Sequence, residues 1–178
     1  MPFDAFLKID TVKGESADAK HKGDIDVLNF HWGLTNATTV GSATSGAGAG
    51  KAKFNEFTII KQTDAATPAL FKACASGQHF QSASLIIRKA GGTQLEYLTI
   101  KFGTVFVVSI KSRGPKSPML PAGDELQEAT SSADLLPTEE ITFVYGTLHV
   151  QYQPQGSDGA ARGGPVLAGW DQVLNKKV

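Results

Sequence analysis

The stretch that decides the fold is SLIIRKAGGTQLEYLTIKFGTVFVVSI, residues 84–110. Residues 84–89 and 94–110 have the composition of β-strands. Residues 90–93, Ala-Gly-Gly-Thr, favour a tight turn, because glycine accepts positive φ without steric strain. The stretch therefore predicts one long β-hairpin.

The second arm of this hairpin alternates between two kinds of side chain. Its even positions are apolar: Leu98, Ile100, Phe102, Phe106, Val108 and Ile110. Its odd positions are mixed: Tyr97, Thr99, Lys101, Val105, Val107 and Ser109. Alternation with a period of two predicts a strand whose even face lies in a core and whose odd face lies outside. Gly103 is the predicted position of a bend or bulge.

Composition excludes several classes of protein. The chain has 178 residues, 17 basic and 17 acidic side chains and no net charge, so it lacks the basic excess of a nucleic-acid-binding protein. Its length predicts a single domain spanning residues 1–178. No apolar run reaches the roughly 18 residues of a membrane span, so we expect no membrane insertion. The N-terminus lacks the pattern of a cleaved signal peptide, which predicts folding in the cytoplasm.

Further strands are predicted on either side of the hairpin, over residues 3–10, 24–33, 53–61, 141–153 and 166–173. The apolar positions change parity between Val27 and Leu28 and again across Gly146, and each change predicts a bulge. The expected architecture is mainly β, a two-sheet β-barrel or sandwich with one short flanking α-helix.

That helix is predicted over residues 68–76. Thr67 suits the N-cap, Pro68 the first helical position and Gly77 the position after the last turn. The apolar side chains of Leu70, Phe71 and Cys74 form a stripe that is expected to lie against the sheet.

Two long segments show no strand or helix period. Residues 36–50, NATTVGSATSGAGAG, contain four glycines and no charge, which is typical of a flexible surface loop or of an arm that becomes ordered on meeting a partner. Residues 112–137 contain four of the eight prolines and predict a long loop or insertion, with a short helical turn over 124–129.

No local pattern indicates a catalytic, metal or cofactor site. Residues 45–52, SGAGAGKA, lack the first glycine and the hydroxyl residue of a phosphate-binding loop. The four histidines, His21, His31, His79 and His149, have no partner at the spacing of a local metal motif. The single cysteine, Cys74, excludes an internal disulfide and is expected to be a small core residue. We therefore expect a protein that is not an enzyme and has no cofactor.

Short sequence blocks in a fixed order connect the chain to a known family. They are FLKI at 6–9, VKGES at 12–16, IDVL at 25–28, WG at 32–33, ACASG at 73–77, IRKAGG at 87–92, EYL at 96–98, YQPQ at 152–155, GGP at 163–165 and GW at 169–170. Together with the glycine-rich residues 36–50, these blocks make the chain similar to the haemolysin-coregulated protein (Hcp) family, the inner-tube subunit of bacterial type VI secretion systems.

The resemblance implies an Hcp-like β-barrel of two sheets that assembles into a homohexameric ring. Stacked rings would form a tube in a Gram-negative cell, with a VgrG-type spike at its tip. A contractile sheath would expel the tube with effector proteins inside it, and baseplate proteins would be further partners. The subunit would therefore be cytoplasmic and then secreted. The alternative is a monomeric or ring-shaped effector-binding chaperone that forms no tube.

The resemblance also implies site residues. His31 is expected at the lumen, with Asn29 on the same polar strand face, and its imidazole leads to the hypothesis of pH-sensitive cargo binding. The arm over 36–50 is expected to reach the next ring through Asn36, Val40, Gly41, Gly46, Gly48 and Gly50. Tyr97, Thr99, Lys101, Val105 and Val107 are expected to form a subunit seam or a channel wall.

Overall fold

The computed structural model describes residues 3–37, 51–89, 94–115, 136–156 and 159–178. The described residues form eleven strands and one helix: β1 Phe3–Ile9, β2 Ile25–Asp26, β3 Asn29–His31, β4 Leu34–Asn36, β5 Ala52–Phe54, β6 Phe57–Gln62, α1 Thr67–Ser76, β7 His79–Lys89, β8 Glu96–Arg113, β9 Thr138–Tyr152, β10 Val166–Asp171 and β11 Lys176–Lys177. The prediction of a mainly β fold with a short helix is confirmed. The predicted turn at residues 90–93 lies outside the described residues.

Nine of the strands form an antiparallel sheet in which β9 belongs to two layers. The order along the sheet is β11-β10-β9-β8-β7-β1-β2, while β6 also pairs with β9 and β3 pairs with β6. Residues 138–143 of β9 pair with β6, and residues 147–152 pair with β10. Because β9 is long enough to serve both, it joins the two layers around one core. Strands β4 and β5 form a separate pair.

The segment that carries β2 and β3 crosses from one layer to the other. Its Val27 N–H donates to the Ala5 carbonyl oxygen at 2.9 Å, whereas its Leu28 N–H donates to the Ile60 carbonyl oxygen at 2.8 Å. The change of partner falls where the sequence predicts a change of parity. Because the segment is interrupted there, the fold is sandwich-like and not a closed barrel.

Strands β8 and β9 bend at the same place. Beyond the bend, the positions that face the core change from even to odd in β8 and from odd to even in β9. In β8, Phe102 is buried before the bend and Val105 after it, and between them Thr104 has a φ of 53°. In β9 the buried positions likewise change from Tyr145 to Leu148 across Gly146, as predicted. The bend in β8 lies next to the predicted Gly103.

This exchange corrects the predicted core face of β8. Phe106 and Val108 were expected in the core, but beyond Thr104 the even side chains point outward, and Val108 is 45% exposed. Ile110 does pack against the core, because the register of β8 on β9 shifts once more between Val107 and Ser109.

Helix α1 differs from its prediction at two positions. Thr67 is its first residue and not its N-cap, since Ala66 occupies that place without a side-chain cap. Gly77 ends the helix with a φ of 69°, as predicted. Leu70 is fully buried, but Phe71 is 64% exposed, because the buried stripe follows the i, i+3 spacing from Leu70 to Ala73. Half-buried Cys74 also packs against the core.

A buried ion network fastens the start of α1 to the sheet. Lys61, which is fully buried, places its Nζ 3.0 Å from Glu139 Oε2 and 2.6 Å from Asp64 Oδ1. Thr67 Oγ1 donates to the same Glu139 oxygen at 2.8 Å. The network therefore positions α1 against β6 and the first residues of β9.

A second network holds the loop between β1 and β2 over the sheet. The Arg88 guanidinium lies 4.8 Å from the centre of the Phe6 ring and donates to Asp4 Oδ2 at 3.0 Å and to Asp18. Its hydrogen bond lowers the pKa of Asp18 to about 2, and the same bond raises the pKa of Arg88. The loop and β1 are thereby tied to the C-terminal end of strand β7.

Candidate functional site

His31 and Asn29 lie on the outer face of the β3–β6 pair. Asn29 is opposite Ile60 and His31 is opposite Thr58, while Phe30 between them packs against the core. Both Asn29 and His31 are exposed, which confirms their predicted placement on the polar side of the strand. Their expected contact with cargo stays a prediction.

The pairing register extends this outer face across four strands. One row contains His31, Thr58, Thr142 and Ser109, and the next contains Asn29, Ile60, Glu140 and Lys111. We call these eight residues the His31 face. In its first row the Thr58 and Thr142 hydroxyl oxygens are 3.1 Å apart and share a hydrogen bond. Thr58 and Thr142 are themselves buried, so the exposed His31 imidazole is the accessible polar group at this end of the row, which contains no large apolar side chain.

Charge on the His31 face is concentrated in the second row. Lys111 Nζ donates to Glu140 Oε1 at 2.7 Å. This hydrogen bond and the lysine charge lower the pKa of Glu140, with smaller contributions from Arg113 and His31. Glu140 is therefore ionised at neutral pH.

The arm predicted over residues 36–50 begins on a β-hairpin stem. Strands β4 and β5, which we call the arm stem, pair Leu34 with Phe54 and Asn36 with Ala52. Asn36 is thus an exposed strand residue and not part of a loop, because its backbone pairs with β5. The other arm candidates lie outside the described residues: Val40, Gly41, Gly46, Gly48 and Gly50.

Hydrogen bonds at Asn55 join the base of the arm stem to the sandwich. The Asn55 N–H donates to the Gly33 carbonyl oxygen at 2.9 Å, and the Tyr145 hydroxyl donates to the Asn55 carbonyl oxygen at 3.1 Å. Burial raises the pKa of Tyr145 to about 12, so this phenol keeps its proton at physiological pH. The two hydrogen bonds at Asn55 therefore fix the direction in which the arm stem leaves the sandwich.

The bend in β8 separates the predicted interface residues into two groups. Before it, Tyr97 and Thr99 are half-buried and Lys101 is exposed, so these three are available to a partner. After it, Val105 is 1% and Val107 is 4% exposed. The prediction that these two valines lie on the outer face is wrong, because the bend turns odd positions into the core of their own subunit.

The predicted insertion over residues 112–137 is shorter than expected at its start. Ser112 and Arg113 belong to β8, where they pair with Glu139 and Thr138. Residues 116–135, including the predicted helical turn over 124–129, lie outside the described residues.

An apolar groove of about 960 Å³ separates the arm stem from the C-terminal strands, and it was not predicted from the sequence. Its lining includes Trp32, Leu34 and Phe54 on one side and Val150, Leu167 and Trp170 on the other. The uninterrupted run of apolar and small residues over 166–170 was the available signal, but it does not reveal that β10 pairs with β9 opposite the arm stem.

Within the described ranges, no cluster of three or more His, Cys, Asp or Glu side chains could hold a metal ion. No helix in the same ranges is long and apolar enough to cross a membrane.

Comparison with known proteins gives consistent matches over the whole chain. A family model described as "Type VI secretion system effector, Hcp" matches residues 6–152. The Pseudomonas aeruginosa protein named hcp1 is 41% identical over 172 residues, which cover 96% of each chain. A solved structure of a type six secretion system protein has a TM-score of 0.83 with 34% identity over 99% of both chains. Hcp1 from Salmonella typhimurium has a TM-score of 0.76 with 31% identity over 100% of both chains.

Proposed function

The chain belongs to the Hcp family of type VI secretion system proteins, and on this basis we propose that it is the tube subunit of such a system. Six copies form a ring, rings stack into a tube, and a contractile sheath expels the tube. The observation that supports this most strongly is the match to Hcp proteins along the full length, with a TM-score of 0.76 to Hcp1 from Salmonella typhimurium. The proposed role is structural and requires no cofactor.

The proposed partners follow from that role. They are further copies of the chain, a VgrG-type spike, sheath and baseplate proteins, and effector proteins, with no nucleic acid and no membrane insertion. The protein is made in the cytoplasm and leaves the cell through the type VI system.

We propose that the His31 face lines the lumen and contacts effectors. Its exposed His31 imidazole and the Lys111–Glu140 pair are polar groups that a folded cargo can touch without burying a large apolar area. The arm above β4 and β5 is proposed to connect successive rings. Tyr97, Thr99 and Lys101 are proposed to contribute a further contact between copies.

The molar mass in solution tests the assembly. Light scattering at tens of micromolar protein is expected to give six times the 18.8 kDa of one chain, and negative-stain electron micrographs are expected to show rings and short tubes. A stable monomer under these conditions would contradict the tube proposal. Rings that retain an effector but never stack would instead favour the chaperone alternative.

A separate experiment tests the proposed role of His31. If the imidazole contacts cargo, His31→Ser should change the amount of effector that co-purifies with the ring, and the change should depend on pH between 5.5 and 8. His149→Ser is the matched control. The His31 face includes the first residues of β9, whereas His149 lies near the last residues of that strand, opposite Gly169 of β10. Equal retention by the wild type and His31→Ser across this range would end the His31 hypothesis.

A further inference from the structure

The loop between β1 and β2, residues 10–24, covers one side chain on the outer face of the sheet. That side chain is Phe6, which is 4% exposed although it lies on the opposite side of β1 from the core residues Ala5 and Leu7. The cover includes His21, whose ring stacks on the Phe6 ring with 4.2 Å between the ring centres and 11° between the planes. His21 itself is 5% exposed. The loop is therefore closed over the sheet through a buried histidine.

Both ring nitrogens of His21 face a carboxylate. Nδ1 lies 3.1 Å from Oδ2 of Asp24 in the same loop, and Nε2 lies 3.4 Å from Oε1 of Glu96, the first residue of β8. A neutral imidazole has one N–H and one lone pair, so either tautomer turns a lone pair toward one of the two carboxylates. The doubly protonated ring instead presents an N–H to each of them. The geometry therefore favours the imidazolium form of His21.

The charges around the ring favour the same form. Charged side chains lie beside His21 on every element that the loop contacts: Asp4 of β1, Asp18, Lys20, Lys22 and Asp24 of the loop, Asp26 of β2, Arg88 of β7 and Glu96 of β8. Five of these eight groups are carboxylates. Lys20 and Lys22 are exposed and form no ion pair with a described residue, so they contribute little at the buried ring. An excess of negative charge stabilises a protonated imidazole.

Two side chains tie the loop to the sheet, and they respond differently to pH. Arg88 bonds to Asp4 and to Asp18 of the loop, and a guanidinium keeps its charge at every physiological pH. The second tie is the contact of His21 with Glu96. Histidine is the side chain whose charge changes between about pH 5 and 8, so this second tie is the one that pH can weaken.

We propose that the His21 imidazolium is a proton-dependent clasp, which holds residues 10–24 closed over Phe6 by bridging Asp24 and Glu96. The closed loop binds this proton more tightly than the open loop does. The clasp therefore contributes fully below about pH 6, and its contribution is lost as the pH rises toward 8. Without the proton the loop opens more often and exposes Phe6. The inference concerns a single subunit and does not depend on the proposed ring.

Amide hydrogen exchange measures how often the loop opens. The N–H groups of Gly14, Ser16 and Gly23 donate to carbonyl oxygens of the same loop at 2.8 to 3.0 Å, so their exchange requires its opening. We expect their protection factors, corrected for the intrinsic effect of pH on exchange, to fall about threefold or more from pH 6 to pH 8. The change is modest because Glu96 is 38% exposed and water weakens its ion pair. The N–H groups of β7 are the reference and should change little.

Two variants test the two sides of the clasp. His21→Gln cannot be protonated, so the protection of its loop should be the same at both pH values. Glu96→Gln keeps His21 but removes one carboxylate, and the fall in protection should be smaller than in the wild type. Since Glu96 is half-buried at the start of β8, this variant tests the clasp even if His21→Gln does not fold. His79→Gln is the matched control, because His79 is an exposed histidine at the start of β7, and it should keep the full pH response.

The measurements are made where light scattering gives the same molar mass at both pH values, so that a change of assembly is not mistaken for loop opening. Wild-type loop protection that is equal at pH 6 and pH 8 would overturn the proposal. A full pH response in Glu96→Gln would do the same, because the bridge would then not be its cause. An equal fall in the protection of β7 would show that the whole subunit responds to pH, which also contradicts a local clasp.

Discussion

Replacing Lys61 by methionine should destabilise the protein strongly. Lys61 is fully buried, and its Nζ neutralises Glu139, which is 2% exposed, and Asp64, which is 12% exposed. The Lys61→Met variant removes the cation but leaves the Glu139 carboxylate buried, with the Thr63 and Thr67 hydroxyls as its hydrogen-bond donors among the described residues. A buried charge without its partner is the reason for the expected loss.

The magnitude follows from the burial of both partners. Removing one member of a buried ion pair lowers the free energy of unfolding by about 3–5 kcal/mol. In a chain of this length each kcal/mol shifts Tm by about 2–4 °C, so Tm should fall by roughly 6–20 °C. Because Thr67 also belongs to the network, the loss should loosen the start of α1 before the rest of the sandwich.

Lys111→Met is the matched control. It also removes a lysine from an ion pair, and the partner, Glu140, follows Glu139 in the sequence. Lys111 is 61% exposed, and exposed pairs contribute little to stability, so Tm should change little. Thermal unfolding followed by circular dichroism measures both variants, at one fixed protein concentration because assembly makes Tm depend on concentration.

The double variant Lys61→Met/Glu139→Gln completes the experiment. It removes the uncompensated charge and should recover roughly half or more of the lost stability. Two results would refute the reasoning: a fall in Tm for Lys61→Met no larger than that of Lys111→Met, or no recovery in the double variant.

Three further outcomes are expected. The register of the arm stem permits residues 38–50 to be replaced by an Asn-Gly turn. Electron micrographs of this variant should show intact rings that do not stack. Loss of the rings themselves would contradict the proposed role of the arm. The NMR titration of the Asp18 carboxyl carbon should have a midpoint near the pKa of about 2, and Arg88→Met should move it toward 3.8. The pKa of Asp18 is lower in the folded than in the unfolded state, so its contribution to stability is present above about pH 4 and disappears as the pH falls through 2. A wild-type midpoint near 3.8 would contradict this prediction. Gly14→Ala should lower Tm, since a Cβ there would lie 2.8 Å from Ile25 Cα. Gly114→Ala should not, because a Cβ there would meet no described residue within 4 Å.

The sequence pattern was sufficient to predict which side chains are buried where burial depends only on residues close by in the chain. The period of two predicted β1, the second half of β9 and the outward placement of Asn29 and His31, because alternate side chains of a strand face opposite sides. The changes at Val27–Leu28 and at Gly146 were visible in the sequence because the apolar residues move there from odd to even positions. In β8 the four residues from Val105 to Val108 are all apolar, so the sequence offered no means to choose the buried face after the bend.

Contacts between distant segments were decided only by the tertiary structure. The positive φ of Thr104 turns Val105 and Val107 into the core, and the partner of Lys61 lies 78 residues away at Glu139. The groove exists because β10 pairs with β9 beyond the reach of the second layer, a relation between strands that no single strand encodes. The alternation of side chains determined which residues each segment could bury, and the pairing of strands determined which of those apolar surfaces were covered within the described part of the chain.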